Sequence, residues 1–448
     1  MSTWKISLVL ILVLAAAGLA QQPGGTVVIQ GATVFQANGR PIIRNAAIVI
    51  ENGKIIAIGP RADVRIPSGA QIVDARNKFI IPGLIDAHVH FSQSGGLYTR
   101  PDIIDLRKWR PYEKELDWIK GRLTYTFERY VASGITGVVD CGGPMWNFEM
   151  RDIASRTKKA PRVAVAGPLI ATWAPPPADS KDPDVIEATS PDHARELVRQ
   201  QLEHKPDLIK IWFIRTQDAD FRKQTEIVTA AIMEAKSHGV RVAVHATELD
   251  TAKAAVLAGA DILVHSVTDR LIDTAFLDMV KSRDVLYITT FTVEDGYRNV
   301  LTQKVSLTDI EQKLGDPEVI ATWGDLAKIP GNEIPGGVPP WPPAPRRPIS
   351  YDNLSLLDAA GVRIVAGTDA GNIGTLHGPA LHRELELMAA AGMRPSDVIV
   401  AATRNAAAVM GRQNELGTLE RGKLADLVIL GADPVVDIKN TRKIFRVM

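Results

Sequence analysis

Residues 84–90 read Leu84-Ile85-Asp86-Ala87-His88-Val89-His90, an apolar run that closes on two histidines one position apart. Side chains at i and i+2 of a strand project to the same face, so both imidazoles can converge on one ion. Seven further short runs of this kind follow: Ile135–Cys141, Arg162–Ile170, Leu208–Ile214, Arg241–Ala246, Asp261–Val267, Leu286–Phe291 and Arg363–Asp369. Between them lie helix-length stretches such as Tyr112–Ser133, Asp192–His204, Thr225–His238 and Ser350–Ala360. Alternation of apolar strands with helices predicts an α/β fold with a parallel sheet. Eight such units match a (β/α)8 TIM barrel, although a doubly wound sheet would alternate in the same way. No GxGxxG, Walker or GxSxG string occurs, which argues against the nucleotide-binding and serine-hydrolase versions of such a sheet.

Outside these units the pattern is different. Residues 26–80 read as short β-runs with hairpin punctuation: Thr26–Val34, Ala37-Asn38-Gly39, Ala46–Ile50, Asn52-Gly53 and Ile55–Ile58. Asn-Gly supplies the two positive-φ positions of a type I′ turn. Gly417–Leu430 returns to strand-like composition and is expected to rejoin this unit. At the N-terminus, Lys5 precedes the apolar run Ile6–Ala17 and the small-residue pattern Gly18-Leu19-Ala20, which reads as a cleaved signal peptide. The run is short for a membrane span, and no cysteine follows it to carry a lipid. The expected organisation is therefore a signal peptide at 1–20, the N-terminal half of a β-sandwich at 21–80, the barrel at 81–415 and the C-terminal half of the β-sandwich at 416–448. The expected location is exported, periplasmic or secreted, with no stable membrane anchor after signal cleavage. Pro330–Pro348 holds eight prolines and Trp341 and follows the seventh strand. It reads as a lid or pocket wall, with an extended surface linker as the alternative.

Composition narrows the chemistry. Across 448 residues, 52 Lys+Arg face 51 Asp+Glu, so there is no basic field of the kind that nucleic-acid binding by counterion release requires. The single cysteine, Cys141, excludes an intramolecular disulfide framework and a Cys-rich zinc module. It ends the second strand and reads as packing rather than reacting. Chemistry is left to oxygen and nitrogen groups.

Those groups recur at strand ends. His245 closes Val-Ala-Val-His, His265 closes Ile-Leu-Val-His, and Asp369 follows Val-Ala-Gly-Thr on the eighth strand. With His88 and His90 they face the mouth where such a barrel gathers its catalytic groups. Lys210 interrupts the apolar run Leu-Ile-Lys-Ile-Trp-Phe-Ile, and an unpaired buried ammonium is expensive. Pairing with Asp207 would be a structural explanation. A Schiff-base nucleophile would be another, but it leaves the four histidines unexplained.

The string Ile81-Pro82-Gly83-Leu84-Ile85-Asp86-Ala87-His88-Val89-His90, together with Lys210, His245, His265, Asp369 and the tail Gly422-Lys423-Leu424-Ala425-Asp426-Leu427-Val428, resembles the amidohydrolase superfamily. It looks most like the imidazolonepropionase-like group near the metal-dependent prolidases and ochratoxin-type amidases. The resemblance covers nearly all of the chain beyond the leader. It implies two divalent metal ions, zinc being the favoured identity, and a carbamate on Lys210 that bridges them. His88 and His90 with Asp369 would hold one ion, and His245 with His265 the other. Imidazole and carboxylate suit such cations, and two ions sharing a water can bring its pKa to roughly 7. Asp369 would then be both ligand and general acid/base. The resemblance also implies a further β-run beyond the position of Met448 in relatives.

The implied activity is hydrolysis of an amide or peptide bond in a small substrate, a dipeptide such as Xaa-Pro or an N-acyl amino acid. Prolidase-like members place a carboxylate-binding tyrosine just after the position of His245, and this chain has none. His245-Ala246-Thr247-Glu248 offers an alternative, a mononuclear deaminase with Glu248 as proton shuttle; as a purely structural residue, Glu248 would start the following helix. Candidate substrate contacts are Arg215 past the fourth strand, His377 in the eighth loop, and Tyr98 or Arg100 in the first loop. His193, His204 and His238 read as solvated and His382 as structural. A small-molecule substrate is the expected partner, with no nucleic acid, and a homo-oligomer is compatible with the sequence.

Overall fold

The computed structural model describes residues 25–176, 178–179, 181–215 and 220–448. The expected signal peptide lies outside them. None of the described helices is long and apolar enough to cross a membrane.

The N-terminal segment forms β1 (Val27–Val34), β2 (Ile43–Glu51), β3 (Lys54–Pro60), β4 (Gln71–Asp74) and β5 (Phe79–Pro82). Asn52 and Gly53 have φ of 50° and 73°, the two left-handed positions of the turn that joins β2 to β3 antiparallel. The other expected turn differs. Positive φ falls at Ala37 and Gly39 instead of at Asn38, within a longer link from β1 to β2.

The parallel strands follow as β6 (Leu84–Val89), β7 (Ile135–Asp140), β8 (Arg162–Val165), β9 (Leu169–Ala171), β10 (Val185–Glu187), β11 (Ile209–Trp212), β12 (Val242–His245), β13 (Ile262–Val264), β14 (Leu286–Ile288) and β15 (Arg363–Val365). β6, β7 and β8 make one sheet, and β10-β9-β11-β12-β13-β14-β15 another. The single strand expected over Arg162–Ile170 is broken into β8 and β9. Gly167-Pro168 interrupts it, since proline has no N–H to give to the ladder. Backbone bonds link the two sheets. Asp207 N–H donates to Val165 O (3.0 Å), Ala87 N–H to Ala366 O (3.1 Å) and Asp369 N–H to His88 O (2.8 Å).

The helix expected over Tyr112–Ser133 is two, Tyr112–Gly121 and Leu123–Ala132, broken at Arg122 (φ −115°, ψ 6°). Arg122 there bonds Asp316 (2.8 Å) and Glu318 (2.9 Å). The other expected helices are found as Pro191–Leu202, Phe221–Ser237 and Ile349–Ala359.

Apolar residues of the parallel strands, among them Ile85, Val139, Ala243, Val264 and Val365, share one buried cluster with Ala406–Met410. The short helix Ala406–Val409 thus packs against the strands from within the tail that precedes residue 416. β16 (Leu427–Leu430) and β17 (Ile444–Val447) complete the first sheet, in which β5 lies between β1 and β16. The tail therefore rejoins the N-terminal unit by direct strand pairing. Leu427 opposes Pro82 and Leu430 opposes Phe79.

Candidate active site

Five of the six strand-end candidates meet in one cluster. His88 Nε2 is 3.2 Å from His90 Nε2 and 3.3 Å from Asp369 Oδ1, and His90 Nε2 is 3.0 Å from the same oxygen. The His265 ring stands 4.9 Å from that of His88 and 4.4 Å from that of His245, centroid to centroid. His90 Nδ1 bonds Gly142 O (2.6 Å) and His265 Nδ1 bonds Thr290 Oγ1 (2.7 Å). A proton held at Nδ1 against the Gly142 carbonyl leaves the His90 Nε2 lone pair bare. Asp369 Oδ1 is buried with no hydrogen bond, although two imidazole nitrogens crowd it. Lone pairs brought this close repel one another unless a proton or a metal cation sits among them. His88, His90 and Asp369 therefore fit a metal ion on donor chemistry and on convergence.

The electrostatics agree. Burial, with Lys210 adding to it, pushes His88 down to about 3 and holds His245 well below the ordinary imidazole value, which keeps these rings neutral, the ligand form. Burial alone would raise Asp369, but His88 and His90 outweigh it and hold the carboxyl well below its usual range. Burial also opposes charge on His90, where Asp369 prevails and the net shift is upward. His265 (φ 72°) and Asp369 (φ 60°) both sit in left-handed backbone, a strained choice for non-glycine residues that is found where a side chain must be aimed.

Lys210, the sixth candidate, is 1% exposed on β11 and lines the same cavity. Burial lowers its pKa, and among the described residues it has no ion pair. Asp207 does not serve it: that carboxylate accepts from Val165 N–H (2.9 Å) and Arg151 (3.2 Å).

Three buried carboxylates that sequence reasoning passed over support the cluster. Asp86 Oδ1 accepts from Thr368 N–H (3.0 Å), and its Oδ2 from the Thr368 hydroxyl (2.7 Å), so it ties the His88 strand to the segment bearing Asp369. Asp140 accepts from Phe91 N–H (2.8 Å) and Gly142 N–H (3.0 Å), fixing the backbone on either side of the His90–Gly142 bond. Glu384 accepts from Phe291 N–H (3.1 Å) and Thr292 N–H (2.8 Å), which seats the turn carrying Thr290. Burial pushes Asp86 and Glu384 up to about 7 and Asp140 up to about 6. The sequence did hold a signal for two of them, since Asp86 and Asp140 each follow apolar strand residues.

The cluster floors a cavity of about 380 Å³. Trp341 forms part of its wall and stacks on Tyr297 (centroids 5.1 Å apart, 18° between planes), so the proline-rich segment reaches the pocket. The other expected substrate contacts fare differently. Arg100 lines the cavity, but Tyr98 turns its hydroxyl to Asp325 (3.2 Å) and Arg215 is exposed against Asp250 (3.4 Å); neither is part of the wall. His377 is buried behind it, bonded to Tyr130 (2.8 Å) and Gln93 O (2.7 Å), so both ring nitrogens are engaged in holding the loop. Glu248 occupies the N-cap of the helix Leu249–Ala258, outside the cavity wall. His382 bonds Thr441 (3.0 Å) and Ser133 O (2.9 Å), as a structural residue would. Cys141 is buried, its thiol pushed up to about 12 by burial.

Comparison with known proteins agrees with this geometry. The model of the amidohydrolase family matches residues 79–448. An imidazolonepropionase of Geobacillus kaustophilus (strain HTA426) is 25% identical over 440 residues, covering 89% of this chain and 86% of that protein. The solved structure of a Xaa-Pro dipeptidase with bound methionine is similar at TM-score 0.70 and 23% identity, over 95% of this chain and 98% of that one. Ochratoxinase of A. niger is similar at TM-score 0.68 and 20% identity, over 95% of each chain. The chain belongs to the amidohydrolase family, and it is a hydrolase acting on carbon–nitrogen bonds.

Proposed function

We propose that this protein is an exported, metal-dependent hydrolase of an amide or peptide bond in a small substrate, built on a (β/α)8 barrel with a small β-sandwich formed by its terminal segments. The single observation that supports it best is the crowding of His88, His90 and Asp369 around one point beside a buried lysine that has no ion pair among the described residues. His88, His90 and Asp369 would hold one divalent ion and His245 and His265 a second, with Lys210, carboxylated on Nζ, as the bridging anion. A carbamate removes the positive charge that burial disfavours and presents oxygen in its place. When bound, the ions, zinc in this reading, supply Lewis acidity and a water of lowered pKa.

The chain's own groups do the rest. Asp369 directs Oδ1 toward the two imidazoles, which leaves Oδ2 to take the proton of the attacking water and return it to the leaving nitrogen. Gly142 O and Thr290 hold the His90 and His265 rings, and Trp341 with Tyr297 walls the substrate from bulk water. Dipeptides and N-acyl amino acids are the first classes to try. The test is metal content measured beside a screen of both classes on metal-replete protein. Two ions per chain with amide cleavage is the expected result. One ion, with ammonia released from a cyclic amidine and activity lost in Glu248→Gln, would replace it with a deaminase.

A further inference from the structure

The cavity walls above the histidine cluster are unusual in charge for a site that would hold a carboxylate-bearing substrate. Apart from Lys210 and the cluster histidines, Arg100 is the one cation among the described wall residues, and its guanidinium is occupied. Nε and Nη2 form a fork onto Asp102 (2.8 and 2.6 Å), and Nη1 bonds Tyr297 (3.0 Å) and Asn372. Such a bidentate pair offers a guest almost no net charge.

The acidic side is different. Asp184 lines the same cavity just ahead of β10 and has no ion pair among the described residues. Its backbone is anchored, because its carbonyl accepts from Leu169 N–H (2.8 Å). Burial pushes its carboxyl up from the usual value, a penalty that a cationic guest would offset. Glu294, also in the wall, has only Arg298 at 3.9 Å, and that arginine is held by Asp295 at 2.6 Å. Aromatic faces complete the setting, since Tyr112, Trp212, Tyr297 and Trp341 line the cavity and carry no side-chain cation from the described chain.

We propose that this cavity selects small amides whose distal end is an ammonium or guanidinium, with Asp184 as the residue that sets the preference. The inference rests on the amide-hydrolase reading and narrows it: a substrate anchored by a distal carboxylate would meet Asp184, without an ion pair among the described residues, and Glu294, with only a shared Arg298, and no unoccupied arginine among the described wall residues.

The experiment uses three benzoyl amides with the same scissile bond, those of putrescine, butylamine and γ-aminobutyrate, and measures their affinity for the metal-loaded protein separately from their hydrolysis. Quenching of Trp341 and Trp212 fluorescence or calorimetry reads the binding. The putrescine amide should bind about two- to fivefold more tightly than the butylamide, the size of one partly exposed charge pair, and the γ-aminobutyrate amide more weakly still. Asp184→Asn should remove the advantage of the cation and leave the butylamide unchanged, with metal content as in wild type. Should that variant not fold, the wild-type salt dependence decides: only the cation's affinity should fall as salt rises. Anion binding as tight as cation binding in wild type, or an unchanged ratio in Asp184→Asn, overturns the inference. Charge-ordered binding without hydrolysis of any amide would leave it standing and remove the amidase reading. Hydrolysis without charge preference would do the reverse.

Discussion

Replacing Lys210 by methionine should make the metal-stripped protein more stable and the enzyme inactive. The side chain is 1% exposed, without an ion pair among the described residues, on a strand whose neighbours Ile209 and Ile211 are buried. As an ammonium it gives up hydration, a loss that the charge of Asp369 does not make good. Replacing even paired buried charges by apolar side chains of similar volume is neutral or gains up to about 4 kcal/mol. Burial also favours the uncharged amine, and that is the form that takes up carbon dioxide. An ordinary lysine is uncharged only about once in a thousand molecules at pH 7.4, and each unit of lowering multiplies that fraction tenfold. Urea unfolding of chelator-treated wild type and Lys210→Met should show a higher midpoint for the variant at equal slope. Metal analysis should show lost ions, and amide hydrolysis should be absent. Lys210→Ala should lose metal similarly but recover in part with formate or acetate, which fit the vacated space; Lys210→Met should not recover. A stripped Lys210→Met less stable than wild type that still binds two ions would refute the reasoning, as would ordinary activity in Lys210→Arg, whose guanidinium keeps its charge and cannot bridge.

Asp369→Asn keeps shape and one ligand oxygen but cannot accept the proton, so kcat should fall at least roughly a hundredfold with KM and metal content little changed; near-normal kcat would exclude Asp369 as the proton carrier. Trp341→Ala removes the ring stacked on Tyr297 and should raise KM or alter substrate preference at constant metal content; an unchanged profile across several substrates would make the proline-rich segment a linker. His377 and His382 are each pushed by burial from 6.5 down to about 4, so the unfolded chain binds their protons first. Stability is full above about 6.5 and drains as pH falls toward about 4, with each imidazole costing about 2 kcal/mol at pH 5. Unfolding His382→Gln at pH 7 and pH 5 should show a smaller acid loss than wild type; an equal loss would contradict the assignment.

The histidine–aspartate cluster was legible because its signal is local. A polar residue at the end of an apolar strand has one face to point to, so His88, His90, His245, His265 and Asp369 could be placed from spacing alone. Lys210 stood out as the wrong charge in an apolar run. What failed depended on chain paths that no window of sequence contains. His377 follows Asp369 closely yet turns behind the wall to Tyr130, and Arg215 leaves its strand for Asp250. The support from Asp86 and Glu384 was hidden for the same reason, since Thr368 lies 282 residues beyond Asp86, and Thr292 lies 92 from Glu384. Other misses were readable: Gly167-Pro168 marked the break between β8 and β9, and Gly121 the break before Arg122.

The sheet that holds β1 and β5 against β16 has a consequence for the order of assembly. A ribosome delivers Phe79–Pro82 more than three hundred residues before Leu427–Leu430, its partner strand, exists. Throughout that interval one side of β5 is a free template of backbone donors and acceptors, the kind of edge along which chains aggregate. The last strands therefore act as a clasp. Truncation ahead of Leu427 would leave every residue of the histidine–aspartate cluster in the chain yet expose that edge, so loss of solubility should precede loss of the site.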